Sequence, residues 1–210
     1  MKWYSFWVHA LFWLLLPVVV AFGGEAGKTG IVKGNITVGG RLTADAVVSI
    51  EGLSKENFKS QVSGERPTRV MIDQRDMKFI PRVLPVLIGT RVDFRNNDKT
   101  FHNVFSTSEA KKFDIGLRSP GETRSVTFDK PGMARLLCHV HPNMEAYVVV
   151  KSHPYYAATD ARGNYSVSGI PLGKHRLEVW HPETGAKQVP FELVRDGEVL
   201  TLDVEMKSQR

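Results

Sequence analysis

Short apolar runs broken by turn residues recur along the chain, and the apolar positions repeat every second residue. Ser125-Val126-Thr127-Phe128 shows the pattern, which gives a strand one face for a core and one for water. It predicts strands over 31–38, 46–51, 69–74, 83–88, 91–96, 124–128, 134–137, 146–151, 164–167, 175–180, 188–194 and 199–206. Gly39-Gly40, Gly89, Pro120-Gly121, Pro131-Gly132 and Arg162-Gly163-Asn164 supply the turns between them. No heptad repeat and no long amphipathic helix interrupts the series. The expected class is all-β.

Three stretches depart from this pattern. Residues 51–67 (EGLSKENFKSQVSGERP) are polar and end in proline, so a linker or surface loop is expected there. Residues 207–210 read as a frayed tail. At the start, Lys2 precedes an apolar run over 10–22 broken only by Pro17, followed by small residues at Ala21, Gly23 and Gly24. That is the layout of a secretory signal, with cleavage after Ala21 or Gly23. The competing reading is an uncleaved anchor, since 6–22 is just long enough to cross a bilayer. Both put the folded part in the periplasm or another exported location, and the membrane is met only through this segment if it stays attached.

Composition narrows the classes. Apolar content of 42% with 24% charged residues allows a real core. The net charge of +6 comes without Lys/Arg clusters interleaved with aromatics, which argues against nucleic-acid binding. A mildly basic surface favours an acidic protein partner or an anionic membrane surface. The chain has one cysteine, Cys138. Alone in an oxidising compartment it forms no internal disulfide, so it is either a buried inert thiol or a metal thiolate.

Its neighbours favour the thiolate. Cys138-His139-Val140-His141-Pro142-Asn143-Met144 is one short loop between two predicted strands, and His102 lies on the loop 97–103 after another. A cysteine, two histidines and a long axial thioether are the donors of electron-transfer copper. Zinc takes Cys and His too, but a thioether serves it poorly. A multicopper oxidase would need a further histidine-rich three-copper cluster. His139 adjoins Cys138, and strand alternation turns it to the opposite side. His153, His175 and His181 lack ligand-spaced companions and read as solvated.

Phe79-Ile80-Pro81, Val86 with the run Gly89-Thr90-Arg91-Val92-Asp93-Phe94-Arg95-Asn96-Asn97-Asp98, His102-Asn103-Val104, and the Pro131-Gly132 turn leading to Cys138 together resemble the cupredoxins. The resemblance covers roughly 69–151, and the C-x-x-H-x-x-M spacing with proline after the histidine is most similar to amicyanin. It implies a Greek-key sandwich holding one type 1 copper ion. His102, Cys138 and His141 would be equatorial ligands, Met144 axial, and Asn103 would tie the two ligand loops together. Residues 159–167 and 170–180, with Gly30-Ile31-Val32-Lys33-Gly34-Asn35-Ile36 and 44–50, resemble a carboxypeptidase-regulatory or transthyretin-like sandwich.

The expected architecture is therefore two β-sandwiches, a Greek-key cupredoxin and a smaller transthyretin-like one. The expected division is a signal or anchor at 1–23, the first part of the second sandwich plus linker at 24–66, the cupredoxin at 67–152, and the remaining sandwich at 153–210. On this reading the copper unit is inserted into the other sandwich, whose later residues alone are short for a core. The alternative is that 30–53 extends the cupredoxin. The expected function is electron transfer by Cu(II)/Cu(I) cycling with redox protein partners, not catalysis. A copper delivery, storage or adaptor role is the alternative.

Overall fold

The computed structural model describes residues 28–53 and 69–207. The expected signal segment, most of the expected linker and residues 208–210 lie outside these. Among the described residues every regular element is a strand: β1 (Thr29–Val38), β2 (Arg41–Leu42), β3 (Val47–Glu51), β4 (Arg69–Arg75), β5 (Lys78–Ile80), β6 (Val83–Leu87), β7 (Thr90–Asn96), β8 (Phe105–Ser108) and β9 (Lys111–Asp114). Then follow β10 (Thr123–Phe128), β11 (Gly132–Leu137), β12 (Glu145–Lys151), β13 (Tyr156–Ala158), β14 (Asn164–Pro171), β15 (Gly173–His181), β16 (Gly185–Leu193), β17 (Val199–Thr201) and β18 (Val204–Met206).

Strands β4 to β12 form one sandwich. Its sheets run β10-β7-β4-β5 and β6-β12-β11-β8-β9, with β4–β7 and β12–β6 parallel and the rest antiparallel, as Greek-key crossings require. Ile72, Phe94, Phe128, Leu136 and Val148, all fully buried, fill the space between the sheets. The second sandwich joins strands from both ends of the chain. β1 pairs with β14 and with β17, while β3 pairs with β15 and β13. Val32, Ile36, Ile50, Leu177 and Val179 are fully buried in its core.

β12 couples the two. Its even positions, Ala146, Val148 and Val150, face the first core. Its odd positions, Tyr147 and Val149, pack with Val47, Val83 and Trp180 across the junction. Tyr147 and Trp180 meet edge to face with centroids 5.3 Å apart. At the end of β12, Lys151 Nζ donates to Glu178 at 3.0 Å and to Glu51 at 3.3 Å, both on the second sandwich.

Glu51 also accepts from Ser49 Oγ at 2.9 Å, and His153 Nε2 lies 3.9 Å away. His153 first, then Lys151 and Ser49, hold the Glu51 pKa down from its ordinary 4.5 to about 2 against burial. A folded-state pKa below the unfolded one stabilises the protein above pH 4.5, and the gain is lost as pH falls toward about 2. Glu51→Gln should cost about 2 kcal/mol at neutral pH after solvent screening. Denaturant unfolding at pH 7 and pH 3 should show the gap between wild type and variant narrowing in acid.

Three features differ from the sequence reading. The expected strand over 199–206 is two strands, because the Asp203 carboxylate turns back to accept the Asn35 N–H at 2.8 Å. The hairpin of β8 and β9 and the short β2, β5 and β13 were absent from the expected series. His153, His175 and His181 are not solvated, with exposures of 6%, 9% and 3%. His175 and His181 share the inward face of β15 with Leu177 and Val179, so strand period rather than ligand spacing decides their burial. His175 Nε2 lies 2.7 Å from the Pro171 carbonyl, and His181 Nε2 is 3.3 Å from Thr43 Oγ1.

Candidate metal centre

The loop after β7 is shaped by Asn96, a fully buried residue at the inward end of that strand. Its Nδ2 donates to the Thr100 carbonyl at 2.8 Å and the Arg118 carbonyl at 3.1 Å, and its Oδ1 accepts the Asp98 N–H at 3.0 Å. This side-chain-capped turn delivers His102, whose backbone is clamped to Arg118 by a reciprocal pair of hydrogen bonds of 3.1 and 2.8 Å. The His102 ring is wholly buried.

One edge of that ring is fixed by Asp98, whose Oδ2 lies 3.0 Å from His102 Nε2. The same carboxylate accepts the Met77 N–H at 2.8 Å. That backbone bond first, and His102 second, hold the Asp98 pKa below the ordinary carboxylate value, so the group is an anion at neutral pH. An anionic acceptor keeps the proton on Nε2 and leaves the Nδ1 lone pair facing inward.

Nδ1 points at the loop between β11 and β12. His141 Nδ1 is 3.1 Å away and Cys138 Sγ 4.0 Å away. These three donor atoms all lie within 4.8 Å of one another. Cys138 is 4% exposed at the end of β11 and accepts the Asn103 backbone N–H at 3.4 Å. The loop closes tightly, with the Met144 N–H donating to the His141 carbonyl at 2.9 Å. Met144, 1% exposed, packs in the same core as Cys138. Two imidazole nitrogens and a sulfur all within 4.8 Å of one another suit one first-row metal ion with bonds of about 2.0–2.3 Å. Nitrogen and sulfur donors beside a buried thioether fit copper.

Asn103 meets the Cys138 loop through its backbone, whose N–H reaches the sulfur. Its side chain instead donates to Asp114 Oδ1 at 2.7 Å, while Asp114 Oδ2 lies 3.4 Å from His139 Nε2. The Gly116 N–H first, with Asn103 adding, keeps the Asp114 pKa low. His139, with its side chain 61% exposed, lies outside the three-donor cluster and stacks on Phe105 with centroids 3.8 Å apart. The sequence reading missed Asp98, four residues before His102, and the buried pair Gln74 and Arg118. Gln74 and Asn96 were legible as polar residues at inward strand positions beyond Ile72 and Phe94. Arg118, on an irregular stretch, offers no periodicity.

A Greek-key sandwich with two imidazoles and a cysteine sulfur converging at one end defines the cupredoxin class. Residues 67–151 match the copper binding proteins of the plastocyanin/azurin family. A plastocyanin of Ginkgo biloba is 32% identical over 77 residues, which are 31% of this chain and 78% of that protein. The chain belongs to that family. Among solved structures it is similar to a purple cupredoxin from Nitrosopumilus maritimus, with 22% identity, covering 39% of this chain and 99% of that one at a TM-score of 0.36. It is also similar to reduced amicyanin bearing a tryptophan-to-tyrosine substitution, with 24% identity, 43% and 88% coverage, and a TM-score of 0.38.

Proposed function

We propose that the chain is an exported blue copper protein that carries electrons between protein partners. In this reading His102 Nδ1, His141 Nδ1 and Cys138 Sγ hold one copper ion, with Met144 as the axial group. The observation that carries it is the convergence of those three atoms within 4.8 Å, inside the segment that matches the family. When bound there, copper supplies a one-electron Cu(II)/Cu(I) couple. The β-scaffold keeps the donors in place through both states, because His102 and Cys138 are held by backbone bonds from the Arg118 and Asn103 segments.

Two of the three donors, His102 and Cys138, are buried, which favours a carrier over a catalyst. Electrons would pass at the His141 edge, where the ring is half-buried. Phe101, Leu117 and Val140, neighbours in sequence of His102, Arg118 and His141, are 50%, 62% and 43% exposed. An apolar rim of this kind suits brief docking of a redox protein, and the net charge of +6 favours an acidic one. Export rests on the apolar leading segment. The pairing of β1 and β3 with β14 and β15 supports insertion of the copper unit into a transthyretin-like sandwich.

Loading the purified protein with one equivalent of Cu(II) tests the function. An intense visible sulfur-to-copper charge-transfer band is expected, bleached by a reductant and restored by an oxidant. A copper-loaded but colourless protein would overturn the reading.

A further inference from the structure

Arg118 is 1% exposed inside the copper unit, yet nothing in the proposed ligand set uses it. Its guanidinium finds only neutral acceptors: Nη2 donates to Gln74 Oε1, and Nη1 to the Phe94 carbonyl at 2.5 Å. Nε has no partner among the described residues. Among those residues no carboxylate forms an ion pair with it, and Glu122, whose charge favours the cation, is exposed. Arg124 opposes it. A buried cation without an anion is strongly disfavoured. The backbone clamp on His102 does not explain it either, since any residue could supply that N–H and C=O. The arginine side chain therefore answers to something else.

Its polar contacts lead to the sulfur of Cys138, whose charge as a metal thiolate would favour the guanidinium. The two are joined by a chain of polar contacts: Arg118 to Gln74 Oε1, Gln74 Nε2 to the Asn103 carbonyl at 3.5 Å, and the Asn103 N–H to Cys138 Sγ at 3.4 Å. Polarised along this path, the Gln74 and Asn103 amides carry part of the positive field to the sulfur. Charge counting gives the consequence. A thiolate with Cu(II) and two neutral imidazoles carries +1, and accepting one electron from a protein donor takes it to 0. A fixed buried positive charge opposes the first state and leaves the second untouched.

Building on the copper reading above, we propose that Arg118 is a positioning residue whose buried charge biases the centre toward the reduced ion and raises its reduction potential. Three variants test this, each with Cu(I) and Cu(II) affinities measured by competition with chelators, alongside the visible spectrum and unfolding of the metal-free protein. In Arg118→Gln the preference should shift toward Cu(II) by about tenfold, a potential lower by about 59 mV. Arg118→Lys keeps the charge and should hold the wild-type ratio, with the absorption band unmoved in both.

Gln74→Glu places a carboxylate against the intact guanidinium. It should shift the ratio in the same direction as Arg118→Gln, even if that variant does not fold. An unchanged ratio in Gln74→Glu and in any folded Arg118→Gln would overturn the proposal. So would equal shifts in the glutamine and lysine variants, which would make the role one of hydrogen bonding. A wild type that takes up copper without colour would instead defeat the copper reading itself.

Discussion

Cys138→Ser should abolish the visible charge-transfer band and lower copper affinity by more than the roughly hundredfold that loss of an outer hydrogen-bond partner costs. The serine hydroxyl matches the thiol in shape but stays protonated at neutral pH, so it offers no anionic donor. His102 and His141 would remain 3.1 Å apart, held by Arg118 and by the Met144 turn, and could still bind copper weakly through nitrogen. The fold should tolerate the change, because the Asn103 N–H that meets the sulfur at 3.4 Å can meet an oxygen instead. Denaturant unfolding of the metal-free variant should fall within about 1 kcal/mol of wild type. Copper titration followed by absorbance separates the two effects. A band that survives the substitution would show that the sulfur is not a ligand.

The second large effect is expected far from the copper. Gly34→Ala in β1 should destabilise the second sandwich by about 3 kcal/mol or more. A Cβ at this position would lie 2.0 Å from the Leu202 carbonyl oxygen and 2.6 Å from its carbon, both backbone atoms. The 202–203 segment has little freedom to retreat. The Leu202 N–H donates to the Lys33 carbonyl at 2.8 Å, the Tyr165 hydroxyl to the Leu202 carbonyl at 2.7 Å, and the Asn35 N–H to Asp203. Overpacking against backbone is relieved only by parting strands. A melting temperature lower by about 10 °C is expected in thermal unfolding, with the visible band intact at room temperature. A loss below about 1 kcal/mol would mean that β1 and this segment separate easily.

Both sites were legible to different degrees. Twelve short apolar runs between turns, several of them alternating, placed most of the sheet framework, since a strand with one or two covered faces must write that burial into its sequence. The hairpin of β8 and β9 escaped because FSTSEAKKFD puts few apolar residues on a sheet edge, where neighbours in space rather than period hold the chain. The three donors were readable from residue type and spacing on two loops. Asp98 and Arg118 were not, because each acts on His102 from a position that only the folded loop defines. The buried histidines failed for the opposite reason. Their residue type suggested water, while their place beside Leu177 and Val179 on β15 put them inside.

β12 starts at the residue after Met144 and is covered on both faces, one by each sandwich. A strand gripped in this way cannot slide without unseating both cores. The His141 edge therefore keeps a fixed bearing on the body that carries Trp180, and a load applied to that body reaches the metal loop as through a stiff lever. On the proposed reading, whatever binds the second sandwich would orient the edge at which electrons pass.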